Sequence, residues 1–150
     1  MELINDLKEF VRLLDAHDVR YMVVGGAAVN VLGFVRMTED LDFWLQRSEP
    51  NAEKALAAIA EFGFAGEFSK DDLLDPTAVL MLGRPPNRID LLTWISGRDF
   101  EDCWPRRSYE MLDGLRVPMI ALEDLIINKK ASGRSKDLAD VEEFEKRKKK

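Results

Sequence analysis

Apolar residues open the chain at helical spacing. Leu3, Ile4, Leu7, Phe10, Val11 and Leu14 share one side of a wheel, which predicts an amphipathic first helix with His17 at its exposed end. The period then changes. Arg20 to Val24 reads as a first strand, runs into Gly25-Gly26, and continues into Ala-Ala-Val-Asn-Val-Leu. That segment is apolar on nearly every side, so a buried helix is expected, with Gly33 ending it. Phe34 to Glu39 forms the turn into a second strand. Its Phe43-Trp44-Leu45 is apolar on both faces, which places it centrally in a sheet covered on each side.

Ser48, with Pro50 in the first turn, opens a helix through Ala52, Ala55, Leu56, Ile59 and Phe62 that Gly63 stops. Phe64 to Pro76 reads as loop with one helical turn after Ser69. Thr77–Leu82 and Arg88–Thr93 predict an antiparallel hairpin joined by Gly83-Arg-Pro-Pro-Asn87, with Met81 filling the core. Ser96 to Asp113 is mixed. Trp104 and Tyr109 are expected to cap the core, Cys103 to be semi-buried, and nothing there spells chemistry. Leu115 to Met119 is a short strand whose Pro118 argues for an edge. Ala121 to Ala131 is a helix broken by Gly133, and Ser135 caps a last one with Leu138, Val141 and Phe144 facing inward.

Composition narrows the class. Charged residues make up 33% and apolar ones 46%, a globular balance, and the 150 residues suit one domain over 1–145. No apolar run approaches the roughly 18 residues of a membrane span, and the polar N-terminus is no signal peptide. With Cys103 the single cysteine, no internal disulfide forms, so a reducing cytoplasm is expected. Net charge is -6, yet the last five residues, 146–150, are all basic and read as a frayed tail. Residues 1–145 therefore hold -11, which argues against broad duplex binding but leaves room for a small contact with an RNA end. The lone His17 has no companions for a zinc site.

Candidate chemistry sits between Tyr21 and Leu45. Strand alternation sends Asp40 and Asp42 to one face while Leu41 points away. Two such carboxylates repel unless a cation lies between them, and a hard oxygen-liganded ion such as Mg²⁺ is the natural partner. Just upstream, Gly25-Gly26 lets backbone approach a ligand, and the helix start beyond it aims unpaired N–H groups at the turn. A phosphate cradle followed by metal-binding carboxylates is a nucleotide site. Arg36, the nearest cation, is placed for phosphate or carboxylate contact, and Thr38 for orienting the loop. Asp90, between Ile89 and Leu91, is costly to bury without a partner and reads as functional.

Gly25-Gly26 with Arg36-x-Thr38-x-Asp40-Leu41-Asp42 resembles the signature of the nucleotidyltransferase fold, the polymerase-β-like superfamily. Within it the chain is most similar to the small prokaryotic proteins related to the AbiEii toxins. Leu122-Glu123-Asp124-Leu125-Ile126 with Lys129, Arg134, Lys136-Asp137 and Asp140 resembles that group as well, so the likeness spans Tyr21 to Phe144. It implies a minimal α/β (α+β) nucleotidyltransferase fold, a mixed central sheet flanked by helices with a helical C-terminus. It also implies transfer of an NMP from an NTP co-substrate to a hydroxyl acceptor. Asp40, Asp42 and Asp90 would be the catalytic residues, holding Mg²⁺ or Mn²⁺. Gly25, Gly26, Arg36, Thr38, Lys129 and Lys136 would bind the nucleotide, and Asp137 would hold a basic side chain. Gly26 supplies no hydroxyl where many members have Gly-Ser, so phosphate contact there is main-chain only.

The acceptor stays open between a tRNA or other RNA end, a protein and a small molecule, as do a homodimeric site and an antitoxin partner. Three other readings compete, and the first, a Gly-Gly turn and acidic strand serving only the fold, leaves Asp90 and the Asp40–Asp42 repulsion unaccounted for. Haloacid-dehalogenase-like phosphatases also use D-x-D, but there the aspartates close an apolar strand, whereas here they open one. A non-catalytic nucleotidyltransferase-like module acting through protein contacts is the third, and retention of all three acidic positions argues against it.

Overall fold

A computed structural model describes residues 5–25, 28, 41–84 and 88–148, with the backbone alone at 144, 147 and 148. Its centre is a six-stranded mixed sheet with strand order β3-β4-β2-β1-β6-β5. The first helix, α1 (Asn5–Ala16), leads to β1 (Tyr21–Val24) and then β2 (Leu41–Leu45). Next come α2 (Glu49–Ile59), a π-helical turn (Ala60–Phe64) and α3 (Lys70–Leu74). The hairpin β3 (Val79–Leu82) and β4 (Ile89–Leu92) precedes α4 (Phe100–Cys103) and a 3-10 turn (Trp104–Arg106). β5 (Ser108–Leu112), β6 (Leu115–Met119), α5 (Leu122–Ser132) and α6 (Ser135–Lys148) complete it.

Local rules account for most boundaries. Ser48 caps α2 by accepting from the Asn51 N–H at 3.3 Å, and Gly63 stops the helical path at φ 109°. Ser69 and Asp72 exchange side-chain-to-backbone bonds that begin α3. Gly133 at φ 68° ends α5.

The sheet is covered on both sides. Phe10 of α1 meets Phe43 edge-on at 5.5 Å on one face, and Trp44, of opposite parity, packs on Phe100 at 5.2 Å on the other. Within the core, Tyr21 donates to Asp15; burial first, and then the facing carboxylate, push the phenol pKa far up.

Five expectations need correcting. Met81 is not in the core but 52% exposed, because β3 is an edge strand and Met81 lies on its uncovered face. β6 is not an edge: β5 pairs along it and β1 joins its other side. Pro118 is tolerated because Ile120 donates to Val23 of β1, so the same parity aims the Pro118 nitrogen at β1, just before that pairing begins. Tyr109 is 41% exposed on the unforeseen β5, while Cys103 is fully buried and its thiol pKa is raised by that burial. Finally, Leu138 points outward, and α6 turns Asp137, Asp140 and Val141 inward. The cause is a buried lysine that those carboxylates serve.

Candidate active site

Register places the acidic residues. β2 and β4 run parallel with Asp42 opposite Asp90, so the two carboxylates share one face on strands about 4.8 Å apart. The row extends across four strands as Val24, Asp42, Asp90 and Met81. Beside Asp42 the chain turns at Gly25 with φ 71°. A Cβ built there would overlap the Asp42 carboxylate, reaching 3.1 Å from its Cγ. Glycine is thus required twice, by conformation and by the approach of the aspartate.

Asp90 is buried and held bidentately by Arg88, Nε to Oδ1 at 2.9 Å and Nη2 to Oδ2 at 3.2 Å. The sequence reading missed Arg88. Its signal was the spacing, since residues two apart on a strand share a face.

A cleft of about 340 Å³ opens onto Gly25 and Asp42. Lys129, Ser132, Arg134 and Asp137 line one side, from the joint of α5 and α6; Val79, Leu92 and Trp94 line another. Lys129 is 4% exposed. Its Nζ donates to Asp137 at 3.0 Å and pairs with Asp140 at 3.2 Å, so its charge is already engaged inside the protein. Burial alone would raise the Asp137 pKa, but hydrogen bonds from Ser132, Lys129 and Arg134 outweigh it and hold the group at about 2. Asp137 therefore does what was expected of it: it holds basic side chains in place. Lys136 is exposed and does not line the cleft. A larger hollow of about 440 Å³, around Trp94 and Phe100, contains neither aspartate of the row. Gly26, Arg36, Thr38 and Asp40 lie outside the described residues.

Hard oxygen donors in register suit Mg²⁺ or Mn²⁺, and Asp42 with Asp90 provides two of them. Among the described residues no group of three or more His, Cys, Asp or Glu is gathered to hold a metal ion.

A family model matches residues 1–148. The chain belongs to DUF6036, a family of nucleotidyltransferases of unknown function. Solved structures agree on the fold. The lincosamide antibiotic adenylyltransferase LnuA, bound to lincomycin, is 15% identical at a TM-score of 0.57, covering 96% of this chain and 97% of its own. The antibiotic-resistance factor ANT(2'')-Ia is 14% identical at 0.57, over 93% and 80%. TM1012 from Thermotoga maritima, described as a candidate nucleotidyltransferase, is 17% identical at 0.58, over 99% and 94%. No curated protein matches the chain by sequence. In this DUF6036 nucleotidyltransferase, no helix among the described residues is long and apolar enough to cross a membrane.

Proposed function

We propose that this nucleotidyltransferase moves an NMP from an NTP to a hydroxyl acceptor at the row formed by Asp42 and Asp90. One observation carries the reading: two in-register carboxylates stand beside a glycine that the Asp42 carboxylate leaves no room to replace. Gly25 presents main-chain N–H to the phosphates, with Gly26 continuing the cradle. Asp42 and Asp90, with Asp40, hold Mg²⁺ or Mn²⁺, which supplies neutralisation of charge on the reacting phosphate and the leaving pyrophosphate. A carboxylate oxygen of Asp90 takes the proton of the acceptor hydroxyl as that oxygen attacks the α-phosphorus in line. Arg88 orients Asp90. Arg36, Thr38, Arg134 and Lys136 contact the polyphosphate, while Lys129 fixes the cleft wall. Positioning and charge neutralisation do the work, without a covalent intermediate.

The C-terminal Lys129–Asp140 pattern supports the finer likeness to AbiEii-related toxins, and an antitoxin partner goes with it. LnuA is a lincosamide antibiotic adenylyltransferase and ANT(2'')-Ia an antibiotic-resistance factor, which supports the small molecule among the acceptor classes RNA, protein and small molecule. Calorimetric titration of each of the four NTPs, with and without Mg²⁺, into wild type and Asp42→Asn tests the reading. Binding that needs metal and weakens at least tenfold in the variant supports it. Metal-independent binding that is equal in both proteins sinks it.

A further inference from the structure

We propose that the exposed face of β5 and β6 is a docking surface for a single-stranded polynucleotide. Arg20, Trp104, Arg107, Tyr109 and Arg116 build it. The Arg107 guanidinium lies 3.8 Å from the Trp104 ring centre and 5.2 Å from that of Tyr109. Arg116 lies 4.0 Å over Tyr109, and Arg20 lies 5.7 Å from Trp104. Arg107 also donates to the Trp104 carbonyl at 2.7 Å and to the Tyr109 hydroxyl at 2.9 Å, so its plane is set in advance.

Charge identifies the occupant. Residues 1–145 carry -11, yet among the described residues none of these three arginines pairs with a carboxylate. Instead they stack on rings. Phe100 stacks on Trp104 at 5.4 Å and the arginines lie over both rings, so the stack meets bases with its outer guanidinium planes and ring edges, and guanidinium N–H groups not used within it reach phosphate oxygens. A duplex would demand a broad basic surface that this chain lacks. A lipid surface would demand several protruding apolar anchors, and among the described residues only Met111 stands out beside the stack, at 62% exposed.

The position is also informative. Val23 pairs with Met119, and Met119 with Ser108, so Tyr109, Met111 and Arg116 fall on the opposite face, shared with Val24 and Asp42. Three strand spacings, about 15 Å, separate β2 from β5 on that face. A docked strand therefore lies on the cleft side of the sheet. This surface goes beyond the transfer reading and does not depend on it.

Fluorescence anisotropy with labelled oligouridine RNA and oligothymidine DNA of about eight nucleotides tests the proposal. Three phosphate contacts on a single strand predict that wild-type affinity falls about 20-fold between about 50 and 200 mM salt. Arg107→Gln/Arg116→Gln leaves one contact and flattens that fall to about threefold. Tyr109→Ala keeps every charge, so it weakens binding about tenfold with the salt slope unchanged. Asp42→Asn binds as wild type does. An RNA preference adds a 2′-hydroxyl contact to the surface, and equal binding assigns bases and phosphates alone. The proposal is overturned if neither oligonucleotide binds, or if the doubly substituted protein, folded by its melting curve, binds as tightly as wild type. It is equally overturned if Asp42→Asn abolishes binding, which would seat the strand in the cleft instead.

Discussion

Two pairs of carboxylates, each with one member lining the same cleft, are handled differently. Asp137 and Asp140 close on Lys129 where α5 meets α6, with side chains only 4%, 7% and 5% exposed. Asp42 and Asp90 lie on adjacent strands, and the guanidinium that holds the 11% exposed Asp90 side chain is itself 27% exposed beside the turn that joins β3 to β4. Each set has a partly exposed guanidinium, Arg134 at 77% on Asp137 and Arg88 at 27% on Asp90, but only the first also encloses a buried lysine. The buried lysine thus separates a charge cluster that holds the joint of α5 and α6 from the row that the proposed reading assigns to the ligand. Lys129, grouped with the nucleotide ligands by resemblance, falls on the structural side of that line.

The largest test removes the buried cation. Lys129→Met leaves two carboxylates facing each other out of water, which costs about 3–5 kcal/mol of folding stability. Urea unfolding measures it, and adding Asp137→Asn and Asp140→Asn should recover most of the loss. A stable Lys129→Met protein that no longer binds NTP would move Lys129 to the catalytic side and dissolve the contrast. Next in size, Asp42→Asn should slow transfer by about 10³-fold, equivalent to about 4 kcal/mol. Gly25→Ala should combine both effects on a smaller scale. A left-handed alanine costs about 1–3 kcal/mol, and its methyl group displaces the Asp42 carboxylate, so NTP binding and thermal stability fall together.

The elements readable in advance are those fixed by neighbours in sequence. Ser48, Ser69, Gly63 and Gly133 mark helix ends through capping and left-handed backbone, and all four do so here. Asp90 was legible as a charge between apolar neighbours, and register with Asp42 gives it a place. Non-local features were not legible. Pro118 read as an edge signal because its tolerance depends on where β1 joins β6, and that is decided by residues far away in sequence. Leu138 was placed inward because apolar periodicity assumes an apolar core, and here the buried side of α6 is the carboxylate face that receives Lys129. Arg88 escaped notice because an arginine at the end of a loop reads as solvated until its partner on the same strand is considered.

The smallest test reads the dry pair through acid. Asp137 is held at about 2 in the folded protein, below the usual range near 3.8. A carboxylate whose folded pKa is depressed contributes stability that is fully present above its unfolded value and lost as pH falls toward the folded one. Asp137→Asn removes this contribution at every pH. The gap between wild type and variant should therefore be constant above about pH 5, narrow from about pH 4, and be mostly gone near pH 2. Urea midpoints of the two proteins across that range measure the gap directly, since the other carboxylates titrate in both and cancel. The effect stays modest because Lys129 keeps Asp140 in the variant. A gap that persists unchanged to pH 2 would mean that Asp137 acts through its shape and hydrogen bonds to Ser132 rather than through its charge, and the joint would then be a packing device instead of an ion cluster.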